Sequence, residues 1–179
     1  EAHVVPFLRR LDQRRRQSLS VDALRPWDLL VDEKGREPLH PFEGGQDLIE
    51  KTRAVFGDMD DQLAGFFGEL GDNMGDSLDL DSRKGKAFGG YQYMRYRSKK
   101  PFIFMNAAGL HRDVETMVHE AGHAFHSRLC ADEPLLPLRD YPIEFAEVAS
   151  MSMELLSMPY WHHYYAESEN ADRARRSQL

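Results

Sequence analysis

The chain has little cysteine: Cys130 is the single thiol among 179 residues. One thiol cannot form a disulfide within the chain, and it cannot build a cysteine-rich zinc site. The lack of a disulfide framework fits a reducing compartment, so we expect a cytoplasmic protein. Apolar runs are short as well, since none approaches the roughly 20 residues that cross a bilayer. The first residues also lack the cationic and apolar pattern of a secretory signal.

Positive charge is scarce too, with 23 Lys and Arg against 30 Asp and Glu and a net charge of −7. This balance argues against nucleic acid or an anionic membrane as the main partner. The length is enough for one hydrophobic core. Because the sequence opens at Glu1 in a helical pattern rather than at Met, we expect a fragment of a longer protein.

Apolar residues at helical spacing predict most of the secondary structure. The predicted helices are 4–19, 46–57, 59–71, 113–130, 142–157 and 161–177. Residues 24–31 are expected to be extended or loop-like because of Pro26, and 32–45 and 135–141 to be connections. Alternating residues predict two β-strands at 91–96 and 102–105. Pro101 indicates that the second strand lies at a sheet edge, or at least begins with an unpaired N–H.

The chemistry is concentrated in the segment 118–126, which reads VHEAGHAFH. His119 and His123 are four residues apart, so a helix places both imidazoles on one face with Glu120 beside them. This spacing suits two ligands of one metal ion and a general base. Zinc would lower the pKa of its bound water towards 7, and Glu120 would move that water's proton to the leaving amine. The alternative is that both histidines are core residues and the glutamates are solvated.

A third ligand is expected on a later helix. The segment 144–154 carries Glu144, Glu147 and Glu154 near one face of an otherwise apolar helix, where unpaired carboxylates would be costly to bury. Spacing alone does not choose among these glutamates. His126 lies about two turns after His119, and it either supports the ligands, touches substrate or simply packs.

Several segments together resemble the oligoendopeptidase F branch of the thimet oligopeptidase family. They are HEAGHAFH at 119–126, PFIFMN at 101–106, EFAEVASMSME at 144–154, LRPWD at 24–28, KGK at 84–86 and GGY at 89–91. The resemblance implies that Glu147 is the third ligand of one Zn²⁺ ion and that Glu154 supports the site. Glu144 is then a supporting or surface residue.

The resemblance also implies a fold class: mainly α with a small antiparallel β-sheet, a zincin-like (gluzincin) core of a helical oligopeptidase. A deep channel would admit short peptides, with the strands at 91–105 along it. A peptide could add to these strands, and Tyr91 and Phe104 could contact its side chains. Ordinary packing of the hairpin against the motif helix is the simpler alternative.

We therefore expect a single catalytic-core fragment over 1–179. Residues 1–78 would be a mostly helical N-terminal part, and 79–179 would hold the hairpin, the zinc-binding helix and the ligand helix. The expected function is zinc-dependent endopeptidase cleavage of short peptides. Members of the resembled family are several times longer, however, and the histidine and tyrosine that stabilise their transition state lie beyond Leu179.

The alternative is a zinc-binding but catalytically incomplete fragment that acts by association with the missing segments of a longer chain. Exposed apolar faces at 4–19 and 161–177 would favour it. The segment 161–165, WHHYY, contains the residue types of the absent stabilising groups, but it follows the ligand helix closely. We interpret it as a packed helix start.

Overall fold

The computed structural model describes residues 1–73 and 75–178. The chain divides into two compact units, 1–38 and 39–179. The first contains helix α1, Val4–Leu19, and a 3-10 helix, Pro26–Leu29, where the sequence predicted an extended or loop-like segment. The Arg15 guanidinium joins α1 to the second segment by donating to the Asp28 carbonyl at 2.9 and 3.0 Å. That these units form one catalytic core stays a prediction.

The second unit is mainly helical with one small sheet, which confirms the predicted fold class. Its elements are α2 Gly44–Met59, α3 Asp61–Gly71, β1 Leu78–Asp81, β2 Tyr91–Arg95, β3 Lys100–Ala107, α4 His111–Cys130, α5 Leu136–Arg139, α6 Ile143–Ser157, a 3-10 helix Met158–His163 and α7 Ser168–Gln178. Two segments differ from expectation. The predicted loop at 135–141 contains α5, and the predicted helix at 161–177 is split into the 3-10 helix and α7.

The sheet has the order β1-β3-β2 and is mixed rather than purely antiparallel. Strands β2 and β3 form the predicted antiparallel pair, with Tyr91 opposite Phe104. The parallel strand β1, with Leu78 opposite Ile103, was not predicted. Its four residues, Leu-Asp-Leu-Asp, do alternate, but the run is very short and aspartate is disfavoured in strands.

Pro101 lies in the central strand β3, so the prediction of an edge position was wrong. The other part of that prediction, an unpaired N–H position at the start of the strand, explains why proline is tolerated there. The Ile103 N–H donates to the Ser77 carbonyl at 2.9 Å, where β1 begins. The backbone nitrogen of Pro101, two residues earlier, faces the same side of β3, but β1 has not yet begun at that point. The missing N–H of Pro101 therefore removes no hydrogen bond between β3 and β1.

Helix α4 is central to the core, because it packs against α2 and α3 on one side and against the sheet on the other. Phe125 of α4 meets Phe56 of α2 edge to face, with ring centroids 4.9 Å apart, and Phe56 in turn contacts Phe67 of α3 at 5.2 Å. On the sheet, Ile103 and Met105 are buried. In α2 the apolar residues Leu48, Ile49, Val55 and Phe56 are all buried.

No helix in the described ranges is both long enough and apolar enough to cross a membrane.

Candidate metal centre

Helices α4 and α6 bring three potential ligands together. His119 Nε2 lies 3.4 Å from Glu147 Oε2, and His123 Nε2 lies 3.8 Å from Glu147 Oε1. One ligand atom from each residue lies within 4.8 Å of the other two. Two imidazole nitrogens and one carboxylate oxygen at this spacing could hold a single metal ion.

Gly122 allows the two helices to come this close. A Cβ atom at this position would lie 2.6 Å from Ser150 Cα and 2.9 Å from the Ala149 carbonyl oxygen, both on the α6 backbone. A helix-interior glycine costs about 1 kcal/mol relative to alanine, so it needs a packing reason. Here the reason is the approach of α6, which sets Glu147 opposite the two histidines.

The histidine rings are held by groups on their other sides. His119 Nδ1 is 2.6 Å from Glu154 Oε1, which leaves Nε2 facing Glu147. The second oxygen of Glu154 accepts from Gln178 Nε2 of α7 at 2.5 Å. His123 is hydrogen-bonded to the Ala146 backbone. A carboxylate or carbonyl on the far ring nitrogen is the usual way in which a metal-binding histidine is oriented.

Burial lowers the pKa of His123, and the neighbouring His119 lowers it further, while Glu147 acts in the opposite direction. The net shift favours the neutral imidazole. The neutral ring is the form that binds a metal ion, so the electrostatics and the geometry agree.

Glu120 lies beside the three ligands and is only 7% exposed. Burial raises the pKa of its carboxyl group. The backbone of Gln92 on β2 hydrogen-bonds to it, but Glu120 Oε2 has no hydrogen-bond partner within the described ranges. An unpartnered buried carboxylate oxygen is costly, which fits a site completed by water and a cation.

An open cavity of about 360 Å³ leads to this group. Its lining residues are Gly90, Arg112, Glu115, Thr116, His119, Glu120 and Glu154. Gly90 brings the strand pair close to α4, because a Cβ there would lie 3.2 Å from Thr116 Cγ2 and 3.5 Å from the Phe104 carbonyl oxygen. No sequence pattern marked Arg112, Glu115 and Thr116, although they precede His119 by seven, four and three residues on its helical face.

The other predicted site residues are placed differently. His126 stacks on Tyr141 with centroids 4.0 Å apart, and burial lowers its pKa. Its Nδ1 is buried without a partner in the described part of the chain, and it is not among the three convergent ligands. Glu144 is exposed and makes no hydrogen bond or ion pair with the described residues. Tyr91 and Phe104 stack on each other at 5.0 Å.

Comparison with known proteins identifies the protein family. The family model of peptidase family M3 matches residues 74–178, which is more than half of the chain, and the chain belongs to this family. This confirms the resemblance seen in the sequence. Peptidases of this family are generally metal-dependent.

Among the proteins that are similar to this chain in sequence or structure are several oligopeptidases. Oligopeptidase PepF of Bacillus subtilis (strain 168) is 31% identical over 159 residues, which cover 87% of this chain and 22% of that protein. Chromosomal oligoendopeptidase F of Lactococcus lactis subsp. cremoris is 27% identical over 151 residues, covering 84% and 24%. The structure of PZ peptidase A with an inhibitor has a TM-score of 0.86 at 28% identity, covering 97% and 30%. The chain thus spans about a quarter of the length of the curated relatives that it matches.

Proposed function

We propose that this chain is the zinc-binding core of an endopeptidase that cleaves short peptides in the manner of oligoendopeptidase F. The observation that carries the proposal is the convergence of His119, His123 and Glu147 within 4.8 Å, with buried Glu120 next to them. The expected partners are peptides rather than nucleic acid or membrane, and the expected location is the cytoplasm.

His119, His123 and Glu147 would hold one ion. Two imidazoles and a carboxylate are a ligand set typical of catalytic zinc, with a further position left open. When bound, zinc supplies Lewis acidity that polarises a carbonyl oxygen and makes a coordinated water easier to deprotonate.

Glu120 is the proton carrier in this proposal. As water attacks the scissile carbonyl carbon, one water proton passes to a Glu120 carboxylate oxygen. Glu120 then gives this proton to the leaving nitrogen as the C–N bond breaks, so the carboxylate is regenerated. Its low exposure supports this role, because burial raises the pKa of the carboxyl group towards the range in which it can both take and release a proton.

The outer edge of β2, on the side away from β3, is the proposed peptide-binding edge. Strand β2 is at the end of the order β1-β3-β2, and the Gln92 backbone, on the side away from β3, hydrogen-bonds to Glu120. A peptide that extended the sheet at this edge would therefore lie beside the proton carrier. Tyr91 is 50% exposed and stacks on Phe104, so this pair could contact a substrate side chain.

Metal analysis of the purified chain tests the ligand set. We expect the chain to bind zinc, and His123→Ala to bind about one ion per chain fewer. The matched control is His126→Ala, which removes a nearby histidine of the same helix and should leave zinc content unchanged. A chain that carries no zinc, or equal zinc in both variants, would contradict the proposal.

A second candidate function, a zinc-binding fragment that associates with the remaining parts of a longer enzyme, is favoured by one surface. Phe145, Val148, Met151 and Leu155 of α6 are each more than half exposed, on the face away from α4. Exposed apolar faces on 4–19 and 161–177 would also favour it. Phe7 and other apolar residues of 4–19 are exposed. Trp161, Tyr164 and Tyr165 are buried, as expected for a packed helix start, so 161–165 does not support this function.

A cleavage assay with a quenched fluorescent peptide distinguishes the two candidate functions. Cleavage by this chain alone, abolished by a chelator, supports the enzyme. Zinc binding without cleavage, and an increase in cleavage when the remaining segments are added, supports the associating fragment.

A further inference from the structure

A second group of metal-ligand residues lies outside the centre described above. It consists of Asp58, in the last turn of α2, and His162 and His163, at the end of the 3-10 helix Met158–His163. His163 Nε2 is 2.7 Å from Asp58 Oδ2, and one ligand atom of each residue lies within 4.8 Å of the others. Asp58 and His162 are exposed and His163 is half-buried, so an ion could enter from solvent.

Both segments that carry these residues are anchored in the core. The neighbour of His162 is Trp161, which is fully buried and donates from Nε1 to Ser157 Oγ at 3.0 Å. The neighbour of His163 is Tyr164, whose hydroxyl is 2.8 Å from Thr52 Oγ1 inside the core. Because Thr52 belongs to α2, this contact fixes the 3-10 helix against the helix that carries Asp58. The three ligands are therefore brought together by the fold and not by flexible side chains alone.

The arrangement of the rings points to more than an ion pair. A hydrogen bond between His163 and Asp58 accounts for those two residues but gives no role to His162. The His162 ring lies 4.2 Å from the His163 ring, and its Nδ1 is 3.4 Å from the Pro159 carbonyl in its own turn. With Nδ1 near its own turn, His162 has Nε2 available as a metal ligand.

We propose that Asp58, His162 and His163 form a second binding site for a divalent transition-metal ion of the Zn²⁺ class. Two imidazole nitrogens and a carboxylate oxygen suit such ions, and water would complete the coordination at this exposed position. The ion fastens the end of α2 to the turn that follows α6. Because that turn begins directly after the helix of Glu147 and Glu154, occupancy also holds the end of the ligand helix. The site shares no residue with the first centre.

Equilibrium titration of the chelator-stripped chain with Zn²⁺ tests this site. We expect two bound ions in the unaltered chain and one in His123→Ala, where the first centre is lost. Asp58→Asn and the double change His162→Ala/His163→Ala should remove the other ion or weaken it by more than about tenfold, since even loss of a supporting partner costs 10–100-fold. The matched control is His40→Ala, an exposed histidine of the same unit that belongs to neither ligand group.

The outcomes separate this site from the proposed function. If Asp58→Asn and the double variant bind as many ions, as tightly, as His40→Ala does, the second site does not exist. If His123→Ala removes all zinc binding, the same conclusion follows. If one ion remains in His123→Ala and is lost on adding Asp58→Asn, the second site stands, whether or not the chain cleaves peptides. Asp58 and His162 are exposed and His163 is half-buried, so circular dichroism should show unchanged helix content in the variants of the second site.

Discussion

The substitution Gly122→Ala tests how the fold assembles the metal centre. The new Cβ would lie 2.6 Å from Ser150 Cα, whereas ordinary contacts begin at 3.4 Å. The backbones of α4 and α6 must therefore separate by about 0.8 Å, the difference between these distances. Glu147 is carried by α6, so it moves away from His119 and His123 by a similar amount. Metal–ligand distances tolerate only about ±0.2 Å, so the ligand set is spoiled.

The expected effects on stability and on metal binding are different in size. Alanine in a helix interior is favoured over glycine by about 1 kcal/mol, while overpacking costs about 1–3 kcal/mol, so the free energy of unfolding should fall by at most about 2 kcal/mol. Zinc affinity, in contrast, should fall by more than about tenfold, as for other disturbed ligand sets.

Competition with a chromogenic chelator measures the zinc affinity, and urea unfolding of the metal-free chain measures the stability. The matched control is Gly65→Ala in α3, where a Cβ meets nothing within 4 Å. The control should bind zinc normally and be slightly stabilised. If Gly122→Ala binds zinc as tightly as Gly65→Ala does, the close approach of the helices is not what builds the site.

Three further predictions concern the same centre and its support. Glu147→Gln should reduce zinc affinity by more than about tenfold, whereas Glu144→Gln, one turn earlier and exposed, should leave it unchanged; equal effects in a zinc titration would refute the assignment. Glu154→Gln should weaken zinc binding by about tenfold, because it removes the carboxylate that orients His119; an unchanged dissociation constant would show that this orientation is unimportant. Phe56→Ala should lower the free energy of unfolding by about 3–5 kcal/mol in a urea titration, because the ring is fully buried, and a loss below about 1 kcal/mol would contradict the packing described.

The sequence predicted those features of the site that depend on local periodicity. His119 and His123 are one helical turn apart, so their common direction follows from helix geometry alone. The choice of Glu147 over Glu144 does not follow in this way, since both lie near one face of α6. That choice depends on how α6 sits against α4, which Gly122 controls through a tertiary contact. The family resemblance implied Glu147 as the third ligand, whereas spacing alone did not distinguish it from Glu144.

The sheet also shows that contacts between distant segments do not follow from local sequence patterns. The antiparallel pair of β2 and β3 is joined by a short turn and was predicted from alternation and turn residues. Strand β1 pairs in parallel with β3 across more than twenty residues, so its short local pattern does not reveal its partner. The edge position expected for Pro101 failed for this reason, because the neighbour that makes β3 central was not foreseen.

Cleavage of a quenched fluorescent peptide by the Glu120→Gln variant, with zinc content measured on the same sample, tests the central claim most directly. Because the proposed role of Glu120 is proton transfer and not metal binding, the variant should keep its zinc and lose at least about 100-fold in rate, within the range that a positioned general base contributes. The unaltered chain should cleave the peptide and stop on addition of a chelator. Zinc-loaded Glu120→Gln that cleaves at the unaltered rate would contradict the account.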